Sequence, residues 1–208
     1  MRVAVFASGR GSNLQALIDA ADKGLWKAEI VSVLSDVRDA KALERAARKG
    51  IPGQFIKPKE FEKTTLKILK EAGVGLVCLA GFMRILSGGF IRRAGAPILN
   101  VHPSLLPSFP GLRAQRQALD HGVRITGATV HLVDEQVDHG PIVVQAAVPV
   151  LPDDNEATLS MRILREEHRI YPMAVRWFSE GRVSVRGRRV ILRDAPGAGF
   201  SVRNPENR

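Results

Sequence analysis

Asn100 and His102 stand one residue apart in the stretch Ile-Leu-Asn-Val-His-Pro-Ser-Leu-Leu-Pro-Ser-Phe-Pro-Gly, positions 98–111, and their types suit chemistry. The apolar start of this stretch predicts a strand, in which side chains two apart share a face, so Asn100 and His102 point the same way and Val101 the other. An amide donor beside an imidazole that titrates near neutrality can hold a developing oxyanion and move a proton. Pro103, Pro107 and Pro110 restrict the backbone after the strand and stiffen the pair's setting. By itself, an Asn-x-His at a strand end is also an ordinary structural feature.

Two further stretches carry polar groups in suggestive patterns. Ser8-Gly-Arg-Gly-Ser-Asn13 follows a short apolar strand and precedes an amphipathic segment. A Gly-rich turn there exposes backbone N–H groups at a helix N-terminus, which suits a monophosphate. Leu14 stands where a dinucleotide fingerprint has its third Gly, and no Gly-Lys-Ser/Thr follows, so the loop supports neither NAD nor NTP binding. Asp138, in the acidic stretch 134–141, precedes a Gly-Pro turn, where a carboxylate either forms the turn or faces a cleft. His131, Asp134, Asp138 and His139 lack a recognised metal-ligand spacing, so no metal is assigned. The single cysteine, Cys78, lies in an apolar run and reads as a buried, inert thiol.

The elements that must position these groups follow from periodicity. Strand patterns at 2–7, 29–35, 54–56, 74–80 and 97–100 alternate with helical spacing at 14–23, 39–49, 59–72 and 87–94, which predicts a doubly wound, mostly parallel α/β sheet of Rossmann-like type. In such a sheet ligands gather at the carboxyl ends of strands, where the Gly-rich loop, residues 81–86 and the Asn100/His102 pair all fall. Residues 113–121 read as a helix, 126–133 and 142–150 as strands, 157–178 as a long helix capped by 153–155, and 182–192 as an antiparallel extension turning at 186–188. Glu166, Glu167 and His168 on the long helix read as a solvated face. One domain is expected over 1–192, with 193–208 a loosely held tail.

The chain has 208 residues, 45% of them hydrophobic, enough for one sizeable core. No run approaches the roughly 18 apolar residues of a membrane span, and a strand pattern follows Met1 at once, so a cytoplasmic protein without membrane contact is expected. A net charge of +10 invites polyanions, yet aromatics are few and the basic residues are dispersed, which argues against nucleic acid as a partner.

Taken together, Ser8-Gly-Arg-Gly-Ser-Asn13, Leu79-Ala-Gly-Phe-Met-Arg-Ile-Leu-Ser87, Leu99-Asn-Val-His-Pro-Ser-Leu-Leu-Pro107, Gly127-Ala-Thr-Val-His-Leu-Val133, Val137-Asp-His-Gly-Pro141 and Glu167-His-Arg-Ile-Tyr-Pro172 resemble the folate-dependent phosphoribosylglycinamide formyltransferase family. The resemblance spans almost the whole chain. It implies transfer of a formyl group from 10-formyltetrahydrofolate, the cosubstrate, to the amine of glycinamide ribonucleotide. It makes Asn100, His102 and Asp138 the catalytic group, with Asp138 favouring the imidazolium form of His102. It makes Gly11, Ser12 and Asn13 the phosphate cradle, with Glu167 at the substrate's amine end. The folate site would comprise Lys59, Met83, Arg84, Ile85, Leu86, Asn100, Val137, His139 and Gly140. His139 stands where the family often has a second Gly, and Lys59 where close relatives place an Arg near folate's glutamate tail. Such a reaction needs no Ser or Cys nucleophile and no metal, because the substrate amine attacks. Other readings are a formyltetrahydrofolate deformylase, a methionyl-tRNA formyltransferase, and a non-enzymatic phosphate-ligand binding module. A monomer or a homodimer would serve the assigned chemistry.

Overall fold

A computed structural model describes residues 1–194. Nine strands form one sheet among them, in the order β3-β2-β1-β4-β5-β6-β7-β9-β8. The parallel half comprises β1 (Arg2–Phe6), β2 (Glu29–Ser35), β3 (Gly53–Phe55), β4 (Leu76–Leu79) and β5 (Ile98–His102). Beyond it, β6 (Ile125–Leu132) and β7 (Ile142–Pro149) run antiparallel. The closing hairpin, β8 (Val183–Arg186) and β9 (Arg189–Leu192), meets β7 at the single pair Ile142–Arg189. The expected α/β architecture with an antiparallel extension is therefore present. Of the tail expected over 193–208, residues 195–208 lie outside the described residues, while the Arg193 N–H continues the hairpin by donating to the Arg182 carbonyl.

Period-2 alternation sorts the strands' side chains into two cores. Val3, Val5, Leu76, Cys78, Leu99 and Val101 face one layer, and Ala4, Phe6, Val77, Leu79 and Ile98 the other. The first layer packs against α1 (Ser12–Asp22), α2 (Lys41–Arg48), α5 (Ala114–Asp120) and α6 (Glu156–Ser179). The second packs against α3 (Phe61–Glu71) and α4 (Gly88–Arg93) around Phe6, Phe61, Phe82 and Phe90. The Phe61 and Phe82 rings lie 4.9 Å apart, so a buried Phe82 anchors the stretch after β4 while Gly81 and Met83 beside it stay exposed.

The chain leaves β1 for β2 and β3 on one side and later crosses to β4 and β5 on the other, so a crevice opens at the carboxyl ends of β1 and β4. The Ser8 hydroxyl knits its rims: it accepts the Met83 N–H at 3.0 Å, while the Ser8 N–H donates to the Gly81 carbonyl at 3.1 Å. Helix α6 starts at a capping box of Asn155 and Thr158, where Arg162 grips Asp154 and holds its carboxyl well below the usual carboxylate range. On the same helix, the buried Tyr171 hydroxyl donates towards the carbonyls of Leu79 (3.0 Å) and Leu99 (3.1 Å), which fixes α6 against the ends of β4 and β5. Burial pushes the neighbouring Cys78 thiol up to about 12, consistent with an inert thiol.

Candidate active site

The face of β5 that buries Ile98 ends in Asn100 and His102, which are thereby set where the apolar core gives way to a cleft of ≈490 Å³. Asp138 approaches from the 133–141 connection between β6 and β7 and lies with His102 Nδ1 3.2 Å from its Oδ2. That same oxygen accepts the Gly111 N–H at 2.7 Å. Its other oxygen is 3.5 Å from Asn100 Nδ2 and 3.6 Å from His131 Nε2. The three residues expected to act together are therefore brought together. Asp138 has φ +51, and Gly140 at the loop's base has no room for a side chain: a Cβ there would lie 1.8 Å from the Leu132 carbonyl oxygen.

His131 belongs to this group, a role the sequence did not reveal. It is directly opposite Asn100 in the β5–β6 pairing, is buried, and its Nε2 lies 3.2 Å from Asn100 Nδ2. Its Nδ1 donates to the Leu132 carbonyl at 2.8 Å, which fixes the ring with Nε2 facing Asn100 and Asp138. His131 thus orients the Asn100 amide. Phe109 was likewise missed: held at φ +56, unusual for a bulky residue, it aims its carbonyl at His102 Nε2, 2.9 Å away.

The expected pull of Asp138 on His102 is present, but burial outweighs it. Burial pushes the His102 pKa down, and the Phe109 carbonyl and Asp138 push it back without overtaking, so it lies below its ordinary value. Both ring nitrogens face acceptors, so the neutral ring, with one N–H, leaves one contact unfilled and the imidazolium fills both. Burial also pushes Asp138 up, yet His131, the Gly111 N–H and His102 outweigh it and hold the carboxyl below its ordinary value.

Met83, Arg84, Ile85, Leu86, Val137 and Asp138 line the same cleft, joined by Leu112. Met83, Ile85, Leu112 and Val137 are 52–78% exposed, an apolar rim concentrated at one mouth, which suits a flat aromatic ligand. Gly140 and His139, also expected in the folate site, do not line the cleft, and the His139 carbonyl instead accepts from Arg188 Nη2 at 2.7 Å. Lys59 sits exposed in the 3-10 turn Pro58–Glu60 and does not line the cleft, so the structure does not gather it with the expected folate residues that do.

At the other strand end, Gly11 at φ +72 starts α1, and a Cβ there would meet Ala42 Cα at 2.9 Å, so only glycine lets α2 approach. Ser12 faces a second cavity of ≈690 Å³ between α1 and α6. Asn13 departs from the expected cradle role in its side chain, which turns inward: Nδ2 donates to Glu167 Oε2 at 2.7 Å. Glu167 is not on a solvated face. It is 7% exposed, and burial pushes its pKa up, with the Asn13 hydrogen bond opposing. Asn13 Oδ1 is itself buried with no partner in the protein, an acceptor left for a ligand's donor. Among the described residues no group of three His, Cys, Asp or Glu side chains is arranged to hold a metal, and Asp134 and His139 instead pair with each other at 2.7 Å.

The profile of the formyl transferase family matches residues 1–175. The chain is 51% identical over 189 residues to the trifunctional purine biosynthetic protein adenosine-3 of Drosophila pseudoobscura pseudoobscura, covering 86% of this chain but 14% of that protein. The chain thus spans about a seventh of the length of that relative. It is 40% identical to phosphoribosylglycinamide formyltransferase of Escherichia coli (strain K12), covering 89% of this chain and 90% of that one. Among solved structures, glycinamide ribonucleotide transformylase 1 from Symbiobacterium toebii superposes with a TM-score of 0.90 at 49% identity, covering 93% of this chain and 94% of that one.

Proposed function

The chain belongs to the formyl transferase family, and from that premise we propose that it transfers the formyl group of 10-formyltetrahydrofolate to the primary amine of glycinamide ribonucleotide. The products are N-formylglycinamide ribonucleotide and tetrahydrofolate, a step of purine synthesis. The observation that carries this reading is the convergence of Asn100, His102 and Asp138 at the apolar-rimmed cleft, with a separate buried Asn13–Glu167 pair beside the Gly-rich turn. The first arrangement suits an acyl transfer and the second an amine-bearing phosphorylated acceptor. The family's cosubstrate fits the residues: the exposed Met83, Ile85, Leu112 and Val137 side chains offer an apolar slot for its flat ring system.

The backbone N–H groups of Gly11, Ser12 and Asn13 hold the acceptor's phosphate at the start of α1. Glu167 and the free Asn13 Oδ1 accept hydrogen bonds from its amine end, which orients the amine lone pair. As the acceptor nitrogen bonds to the formyl carbon, negative charge grows on the formyl oxygen. The Asn100 amide stabilises it together with the imidazolium form of His102, which takes its proton from solvent before attack and satisfies both Phe109 and Asp138. Asp138 holds a water that takes a proton from the attacking nitrogen and returns one to the folate nitrogen as the old C–N bond breaks. Atoms balance without a protein nucleophile.

The test offers the formyl donor with glycinamide ribonucleotide, with formyl-acceptor tRNA, or with water alone, and follows tetrahydrofolate release. Release that requires glycinamide ribonucleotide is expected. Equal release in water alone would make the protein a deformylase, and release only with tRNA a tRNA formyltransferase.

A further inference from the structure

The loop that carries Asp138 has no regular structure of its own, so something else must hold it. On one side Glu135 pairs with Arg92 of α4. On the other, the tip of the β8–β9 hairpin reaches over it: Arg188 Nη2 donates to the His139 carbonyl at 2.7 Å, and its Nη1 lies 2.8 Å from His139 Nε2. The same Nη1 is 3.2 Å from His139 Nδ1, so the guanidinium lies over the imidazole face, while Nδ1 also faces Asp134 Oδ2 at 2.7 Å. A chain of contacts Arg188–His139–Asp134 therefore ties both ends of residues 134–139 to a hairpin that lies beyond the family-matched residues 1–175.

We propose that Arg188, acting through His139, is a positioning residue that holds the loop carrying Asp138 in its working geometry and keeps Val137 against the cleft. This rests on the formyl-transfer reading above. Asp138 directly precedes His139 and is held at φ +51, a conformation that relaxes if its neighbours let go. Relaxation withdraws the carboxylate from Gly111 and His102 and Val137 from the cleft wall. The planar fork of Arg188 reaches the carbonyl and the ring together, which a lysine's single ammonium does less well.

The test compares wild type, Arg188→Ala, Arg188→Lys and, as a neighbour on the same hairpin, Arg186→Ala. Steady-state kinetics are measured for both substrates, and amide hydrogen exchange is followed in the peptide covering 134–140. With Arg188→Ala, we expect faster exchange confined to that peptide, a lower kcat, and kcat/KM for the formyl donor down roughly 3- to 10-fold, the scale of a few exposed charge-assisted contacts. KM for glycinamide ribonucleotide stays put, Arg188→Lys falls between, and Arg186→Ala matches wild type. Unchanged exchange, or faster exchange with unchanged kinetics in an active wild type, overturns the inference alone. Equal loss for both substrates with exchange rising across the sheet also overturns it, since the hairpin is then merely structural. A wild type that releases no tetrahydrofolate with any acceptor overturns the function and this role with it.

Discussion

Glu167 is a carboxyl buried against Asn13, and its titration makes a sharp prediction. Burial raises its pKa above the ordinary value of about 4.3 that it keeps in the unfolded chain. Between these two values the folded protein binds more protons than the unfolded one, so stability falls as pH rises through the window, by about 1.4 kcal/mol per unit of difference. Below the unfolded pKa the contribution is fully present, and above the folded pKa it is gone. Glu167→Gln removes this titration, so its stability relative to wild type should climb as pH rises from 4 and then level off. Asn13→Ala leaves the ionised carboxylate without its 2.7 Å hydrogen bond. That should cost about 1–3 kcal/mol at neutral pH, or roughly 2–12 °C in Tm for a domain of this size, and less where Glu167 is protonated. Urea unfolding of the three proteins from pH 4 to pH 8 reads both effects. A Glu167→Gln difference that does not vary with pH, or an Asn13→Ala cost as large at pH 4 as at pH 8, would refute the reasoning.

Gly11→Ala, which sets a Cβ 2.9 Å from Ala42 Cα at a positive φ, should weaken glycinamide ribonucleotide at least about tenfold while leaving formyl-donor affinity unchanged in equilibrium titrations. Ile85→Ala, at 76% exposure on the cleft rim, should raise KM for the formyl donor about fivefold, the worth of about 1 kcal/mol of covered apolar surface, with KM for the acceptor unmoved. His102 should titrate by NMR below the ordinary histidine value of about 6.5, and Asp138→Asn, which removes a charge that raises it, should move it lower still. Glu167→Ala should cost catalysis far more than Glu166→Ala, because Glu166 is paired outward with Arg169 and Glu167 is buried.

Much of the fold and part of the site were legible because they depend on local periodicity. The alternation of 98–102 put Asn100 and His102 on one face, and the βα rhythm put the Gly-rich turn at a strand end. Glu167 could have been placed too: it stands in the buried stripe Leu159, Ile163, Glu167, Ile170, Ala174 at helical spacing, although its neighbours Glu166 and His168 suggested a charged face. His131 needed the β5–β6 register, which puts it across from Asn100 and which no local pattern encodes. The sign of the His102 shift needed the balance between a sequence-distant carboxylate and burial, and only the folded chain sets both. The grip of Arg188 on His139 depends on where a terminal hairpin lands, joined to the sheet at one backbone pair.

The central claim is that His102 and Asp138 work as one unit in formyl transfer to the acceptor amine, since they stand 3.2 Å apart in a shared, mostly buried setting. The direct measurement is single-turnover formyl transfer to glycinamide ribonucleotide by wild type, His102→Asn, Asp138→Asn and the double variant, all checked for retained fold and substrate binding. Each single variant should lose about two to three powers of ten in rate, and the double variant should be little worse than the poorer single one. Losses that add fully in log rate would contradict the claim and leave Asp138 as a turn-forming residue beside an Asn100 and His102 that act without it.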